Sequence, residues 1–119
     1  MGADLYIKKL DREKQYLGFE VSQKAVDSGY FRDCYNDGGL FAHLGTATGE
    51  QFSWWAFDKN KAWFNKAHEL NLTGQKSLLA KVVDARVYVK DKEYLKWTDL
   101  LIRFLETSIK LKSTIIWSV

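Results

Sequence analysis

A regular spacing of large side chains near the carboxyl end of the sequence constrains the fold most. Between residues 94 and 111, apolar or small residues recur at intervals of three and four, the spacing of one buried helix face: Tyr94, Trp97, Leu101, Phe104, Ser108 and Leu111. Leu100 and Leu105 widen this seam, and Asp91 precedes it as a suitable N-cap residue. The spacing therefore predicts one long helix after Asp91, whose seam of about three heptads is short enough to pack within one chain.

Two short segments near the ends of the sequence are predicted to be strands. Residues 3–10 alternate, with Leu5 and Ile7 on one side and mainly polar residues on the other. Residues 113–119 are rich in β-branched side chains, which favour strands. The simplest partner of each strand is the other one. We therefore predict an α+β fold, predominantly helical, with a small antiparallel sheet from the N- and C-terminal strands, in one domain over residues 1–119.

The sequence between these segments predicts further helices. Weak helical spacing over residues 20–28 ends at Gly29. A second short helix, capped by Asn36 or Asp37 and with Leu40, Phe41 and Leu44 on its buried side, ends at Gly45, before a loop over residues 46–50. Asp58 is the expected N-cap of a helix from Lys59 to Leu70, which Asn71 closes. Thr73 is the expected N-cap of the next helix, whose apolar stripe consists of Leu78, Leu79, Val82, Val83 and Val87.

Composition excludes several classes of protein. A chain of 119 residues can bury a core without disulfides, and its single cysteine, Cys34, cannot form an internal one. No uncharged run approaches the length of a membrane span, so we expect a cytoplasmic protein without a membrane partner. The net charge of +3 is uneven, because residues 1–57 carry six Lys and Arg against eight Asp and Glu, whereas residues 58–119 carry twelve against seven. A basic half can favour an acidic partner, although a solvated helical surface is the simpler explanation.

The candidate site is an aromatic and polar stretch between glycines, Gly29–Phe41, together with the aromatic segment Ser53–Phe57. Arg can hold a phosphate or a carboxylate in bidentate fashion, and Tyr and Trp rings can stack on a planar ligand or anchor a protein partner. The structural alternative is a buried pair of Arg32 and Asp33, with Asn36 and Asp37 capping a helix. The predicted ligand- or partner-binding residues are Tyr30, Arg32, Asp33, Tyr35, Asn36, Trp54 and Trp55.

The segments 1–7 and 29–36, with Leu44-Gly45 and Ser53-Trp54-Trp55 after them, resemble a family of small uncharacterised phage and bacterial proteins. Members of this family open with Met-Gly-Ala-Asp-x-Tyr and carry Gly-Tyr-Phe-Arg-Asp-Ser-Tyr-Asn. The present chain has Cys34 in place of that serine and a longer loop after Gly45. The resemblance covers about the first half of the chain and implies a phage or prophage origin with an accessory role, but no reaction.

Three classes of function follow. The first is a phage-type accessory protein, anti-defence or host-modulating, that binds a macromolecule without catalysis, most simply a protein. The second is a small-ligand or nucleotide-binding protein that uses the aromatic and Arg cluster as a pocket, and a basic helical face leaves nucleic acid as a further partner. The third is a small hydrolase-like enzyme using Asp33, Asp37 or His43. No catalytic, phosphate-binding or cofactor motif appears, and His43 and His68 lack metal-site spacing, so we expect no cofactor and no metal.

Overall fold

The computed structural model describes residues 2–10, 22–34 and 38–119, which contain five strands and five helices. The strands are β1 (Gly2–Ile7), β2 (Tyr30–Cys34), β3 (Phe64–Lys66), β4 (Glu69–Leu70) and β5 (Ile115–Ser118). The helices are α1 (Gln23–Asp27), α2 (Leu40–Thr48), α3 (Trp54–Asp58), α4 (Leu72–Arg86) and α5 (Lys92–Lys110), and a 3₁₀ turn covers Lys61–Trp63. The strands form one sheet in the order β2-β1-β5-β4-β3, and every neighbouring pair is antiparallel.

The pairing of the two terminal strands confirms the predicted α+β fold. β1 lies directly against β5, with Asp4 opposite Ser118 and Ile7 opposite Ile115. The alternation in β1 is also as predicted, because Leu5 and Ile7 are fully buried in the main core. The sheet is larger than the two strands predicted, since part of the segment Gly29–Phe41 supplies β2 and a hairpin supplies β3 and β4.

The main core lies between one face of this sheet and the helices. Phe31 from β2 packs against Phe104 from α5 with ring centroids 5.9 Å apart, and Leu101 from the predicted seam is fully buried beside them. Asp91 caps α5 as predicted, accepting hydrogen bonds from the backbone N–H groups of the first turn. The seam ends before Leu111, which is 39% exposed.

The predicted helix from Lys59 to Leu70 is wrong. Its place is taken by the 3₁₀ turn, which the Asn60 side chain caps, and by the β3–β4 hairpin, which turns at His68 with a φ of +68°. β4 pairs with β5, so its backbone groups are bound to a strand about 45 residues farther along the chain, and this tertiary pairing outweighs local helical propensity. Asn71, expected to close that helix, caps α4 instead, where Thr73 was the predicted cap.

The other helix ends differ from the sequence-based expectation in smaller ways. α2 continues through Gly45 to Thr48 and ends at Gly49, whose φ of +70° suits a residue without a Cβ atom, so most of the predicted loop over residues 46–50 is helical. α1 agrees with the predicted helix within residues 22–28, and residues 20 and 21 lie outside the described part. None of the described helices has the length and apolar character needed to span a membrane.

Gly74 in the first turn of α4 provides a test of this packing. A Cβ atom at this position would lie 2.6 Å from Leu70 Cδ1 and 2.7 Å from both Trp63 Cβ and the Trp63 carbonyl oxygen. Alanine favours a helix by about 1 kcal/mol over glycine. We nevertheless expect Gly74→Ala to lower the free energy of unfolding by about 1–3 kcal/mol, because the backbone at Trp63 and the core side chains around it must move to make room for the Cβ atom. Urea denaturation measures the change.

The control is Ala80→Gly on the exposed side of the same helix. It should cost about 1 kcal/mol through helix propensity alone. A stabilised Gly74→Ala protein would contradict the close packing of α4 on the 3₁₀ turn.

Candidate functional site

The predicted site is organised by the buried carboxylate of Asp33, at the end of β2. Its Oδ1 accepts hydrogen bonds from the backbone N–H groups of Leu40 (2.7 Å) and Cys34 (2.8 Å). Its Oδ2 accepts from the backbone N–H of Phe41 (3.1 Å) and from the indole N–H of Trp54 (2.8 Å). Asp33 therefore binds the first turn of α2 across space, where the N-cap residue itself, a glycine, has no side chain to do so.

Trp54 belongs to the aromatic core between α2, α3 and the sheet. Its ring stacks on Phe41 with centroids 3.5 Å apart and planes 2° apart, and the ring of Trp117 meets it edge-on at 4.9 Å. Phe52 and Phe57 pack edge-on against the same Phe41 ring. Trp54 and Asp33 are only 3% and 1% exposed, so they present almost no surface to a ligand or partner.

The environment of Asp33 favours a structural role for its charge. Burial raises the pKa of the Asp33 carboxyl, and the N–H donors of Leu40, Phe41, Cys34 and Trp54 oppose this rise without cancelling it. These donors use both oxygens, which leaves the carboxylate enclosed and fully hydrogen-bonded. A general base needs an oxygen that can reach a substrate proton, and Asp33 offers none in this conformation.

Tyr30 and Arg32 point to the other face of the sheet, away from Asp33, because side chains alternate along β2. The Tyr30 hydroxyl donates to Asp4 Oδ1 at 2.5 Å, and Arg32 Nη1 lies 3.4 Å from the same oxygen. Gly2 allows the guanidinium to lie across β1, since a Cβ atom there would be 2.9 Å from Arg32 Nη2. Arg32 is therefore an ion-pair partner of Asp4, and the alternative of a buried pair with Asp33 is not what the structure shows.

The remaining predicted site residues are dispersed or undescribed. Trp55 is 58% exposed at the first turn of α3, one position after the buried Trp54. Tyr35 and Asn36, and with them Asp37, lie outside the described residues. The structure thus brings Asp33 and Trp54 together in the core, places Tyr30 and Arg32 on the opposite face of the sheet, and leaves Trp55 at the surface.

His43, the candidate base of the enzyme hypothesis, stacks on Tyr94 with ring centroids 3.8 Å apart. The hydroxyl of Tyr94 donates to the Gly38 carbonyl oxygen, and Trp97 donates its indole N–H to the Arg32 carbonyl oxygen. These contacts join α2 and β2 to the first half of α5. Over residues 2–10, 22–34 and 38–119, no group of three His, Cys, Asp or Glu side chains is arranged to hold a metal ion.

Sequence reasoning missed two surface features. The first is an apolar patch at the end of α4, which we call the helix-end patch. It consists of Val83, Val87 and Tyr88, whose side chains are 46%, 71% and 57% exposed. The predicted apolar stripe of α4 contained both valines. Because this stripe is too wide for one buried face, the sequence indicated that some of its residues would be exposed. The second is a cavity of about 480 Å³ beside the hairpin.

No family model, no curated protein and no solved structure matches the chain. Inferences about function therefore depend on where the structure places each side chain.

The capping role of Asp33 predicts a large loss of stability in Asp33→Asn. The amide replaces one acceptor oxygen by an N–H₂ group that faces N–H donors, so we expect the free energy of unfolding to fall by about 3 kcal/mol, measured by urea denaturation. Trp54→Phe keeps the ring stack but removes the indole donor, at a cost of about 1 kcal/mol.

Asp84→Asn at an exposed position of α4 is the matched control and should leave the unfolding midpoint unchanged. A double-mutant cycle between Asp33 and Trp54 should show coupling. A neutral Asp33→Asn would mean that the carboxylate does not hold α2, and would return Asp33 to the list of functional candidates.

The environment of the Tyr30 hydroxyl predicts that the folded state loses stability at alkaline pH. Burial, and next the hydrogen bond to Asp4, raise the pKa of the Tyr30 hydroxyl well above its ordinary value of about 10. The folded state therefore keeps this proton at a pH where the unfolded chain releases it. The resulting stabilisation is complete below about pH 10 and decreases as the pH rises above that value.

Urea unfolding at about pH 8 and pH 11 should thus show a steeper loss of stability for the native chain than for Tyr30→Phe. Tyr88→Phe, at an exposed tyrosine, should keep the native slope. Equal slopes for all three proteins would contradict the buried hydrogen bond.

Proposed function

We propose that this chain is a phage-type accessory protein that acts in the cytoplasm by binding a protein partner, without catalysis. The resemblance of its first half to small phage and bacterial proteins supports the accessory role. The single observation that carries the binding role is the helix-end patch: Val83, Val87 and Tyr88 expose large apolar side chains in the last turn of α4 and directly after it, whereas Val82 and Ala85 of the same turn are buried.

The helix-end patch has the geometry of a contact surface. Val83 and Val87 are four residues apart, so both lie on the same side of α4, and Tyr88 follows directly. Tyrosine is enriched among the residues that dominate binding energy at interfaces, and clustered apolar exposure marks such surfaces more often than single exposed side chains do. Trp55 is a second exposed aromatic residue and, among the described members of the predicted site, the one that is mostly at the surface.

The charges around the patch favour an acidic partner. Lys76, Arg86 and Lys90 are exposed on or just after α4, and the acidic residues of this segment are fewer. Arg86 forms a bidentate ion pair with Asp99 of α5, with N···O distances of 2.6 and 3.3 Å, so its charge is balanced within the chain and Lys76 and Lys90 are the exposed cations that remain for a partner. We therefore expect a partner with an apolar contact surface bordered by Asp and Glu side chains.

The second candidate function, small-ligand or nucleotide binding, has support away from the predicted cluster. The stacked Phe41 and Trp54 rings leave no space for a ligand between them. The cavity beside the hairpin is the concave surface that supports this function instead. A hydrolase-like reaction has no comparable support, because the Asp33 carboxylate is enclosed by its four N–H donors.

The test is affinity capture from a bacterial host lysate with immobilised variants. Val87→Asp places a charge in the centre of the patch, and Tyr88→Ala removes its aromatic ring. If the patch binds the partner, each should reduce its recovery at least about tenfold, which corresponds to 1.4 kcal/mol. Both sites are exposed, so the thermal midpoint should change little.

Thr73→Asp is the matched control, because it adds the same charge on the same helix about four turns away. It should recover the partner like the native chain. Trp55→Ala tests the exposed aromatic residue of α3 separately. Recovery that is equal for Val87→Asp, Tyr88→Ala and Thr73→Asp would reject the helix-end patch as the binding surface.

A further inference from the structure

The cavity beside the β3–β4 hairpin lies between the end of α3, the 3₁₀ turn and the hairpin. It has a volume of about 480 Å³, within the usual range for small-molecule sites. The side chains that define its chemistry are Asp58, Lys61, Phe64, Asn65, Lys66 and His68. We propose that this cavity binds a planar aromatic ligand carrying an anionic group, with the chemistry of a nucleoside monophosphate. This site is separate from the helix-end patch, and the proposal is independent of the protein-binding function.

The walls of the cavity are held in place by hydrogen bonds to the rest of the fold. The Trp117 N–H of β5 donates to the His68 carbonyl oxygen at 2.8 Å. The Asn71 N–H donates to the Trp63 carbonyl oxygen at 2.7 Å, and its side-chain amide donates to the Ala62 carbonyl oxygen. The 3₁₀ turn and the hairpin are therefore fixed relative to each other, and a ligand would meet a site that is already formed.

His68 supplies a ring of defined orientation. Its Nδ1 lies 3.1 Å from the Trp117 carbonyl oxygen, and because a carbonyl oxygen only accepts, Nδ1 carries a proton. Nε2 is then the ring nitrogen that remains for a ligand. The φ of +68° is unusual for a histidine, and a glycine would adopt it more readily. The hairpin turn thus places a polar ring of fixed orientation in the lining of the cavity.

The charges of the cavity favour an anion. Lys66 Nζ lies 3.1 Å from Glu69 Oε2, and Lys8 Nζ lies 2.5 Å from Glu69 Oε1, so two ammonium groups share one carboxylate. Lys8 first, and then Lys66, lower the pKa of the Glu69 carboxyl, which keeps it ionised. Lys8 and Glu69 lie outside the lining of the cavity, and the lining itself carries Lys61 and Lys66 against the single carboxylate of Asp58, which leaves one net positive charge.

The same cavity offers contacts to a planar group. Phe64 is half-buried, and its ring is fixed edge-on against Trp117 at 5.5 Å. An aromatic ring that is immobile before binding can stack on a base at little cost in side-chain entropy. The Asn65 amide and the Asp58 carboxylate can pair with donors and acceptors on the edge of that base or on its sugar. An anion, a planar ring and polar ring substituents together describe a mononucleotide.

The experiment is isothermal titration calorimetry of the full chain with AMP, GMP, CMP and UMP, with adenosine and inorganic phosphate as partial ligands. We expect at least one nucleotide to bind, and both partial ligands to bind more weakly than it does. Lys61→Gln should weaken that nucleotide about tenfold, because it removes a charge-assisted hydrogen bond. Lys59→Gln, which makes the same change two residues away at a side chain outside the cavity, should bind like the native chain.

His68→Gly keeps the turn, since glycine accepts a positive φ, and removes the ring. It should unfold at or above the native midpoint and bind the nucleotide more weakly. Amide chemical-shift changes should concentrate at residues 58–68. Four results would overturn the proposal: no binding by any nucleotide at millimolar concentration, equal losses in Lys61→Gln and Lys59→Gln, binding of phosphate or adenosine as tight as that of the nucleotide, or native affinity in His68→Gly.

Discussion

The carboxylate of Asp33 connects three segments that are distant in the sequence. Asp33 lies near the end of β2, caps α2 and accepts a hydrogen bond from the indole N–H of Trp54, so one buried carboxylate sets the position of two helices against the sheet. The aromatic core depends on the same contact, because Trp54 lies between Phe41 and Trp117. A charge in such a position is tolerated only when its hydrogen bonds are complete, which makes this part of the fold sensitive to any change of shape or polarity.

The sequence predicted those parts of the fold that local periodicity determines. β1 and α5 follow from spacing, β5 follows from its β-branched residues, and Asp91 caps α5 as its position indicated. The hairpin at residues 64–70 was wrongly predicted as helix. Its strand β4 forms by pairing with β5, which is distant in the sequence, so the local residues do not reveal it. The cap of α2 was unpredictable for a related reason, since the carboxylate that accepts from the N–H groups of Leu40 and Phe41 belongs to Asp33 in β2 and not to the N-cap residue.

The candidate site was the harder inference, because composition does not distinguish an aromatic core from an aromatic surface. Trp54 and Trp55 are adjacent in sequence, yet one is buried and the other exposed, since neighbouring residues at the start of a helix point about 100° apart. In the same way the width of the apolar stripe of α4 indicated that some of its residues would be exposed, but not that Val83 and Val87 would be the exposed ones while Val82 is buried. Which side of a helix the rest of the chain covers is a property of the tertiary structure.

The central position of β1 and β5 in the sheet also has a consequence for folding kinetics. Their register joins residue 4 to residue 118, so the middle of the sheet closes only when nearly the whole described chain has been brought together. Loop-closure entropy makes such a contact expensive to form early, whereas the β3–β4 hairpin and the antiparallel pair of α4 and α5 require only short loops. A sheet with its most distant strands at its centre therefore has high contact order, which is characteristic of slow folding.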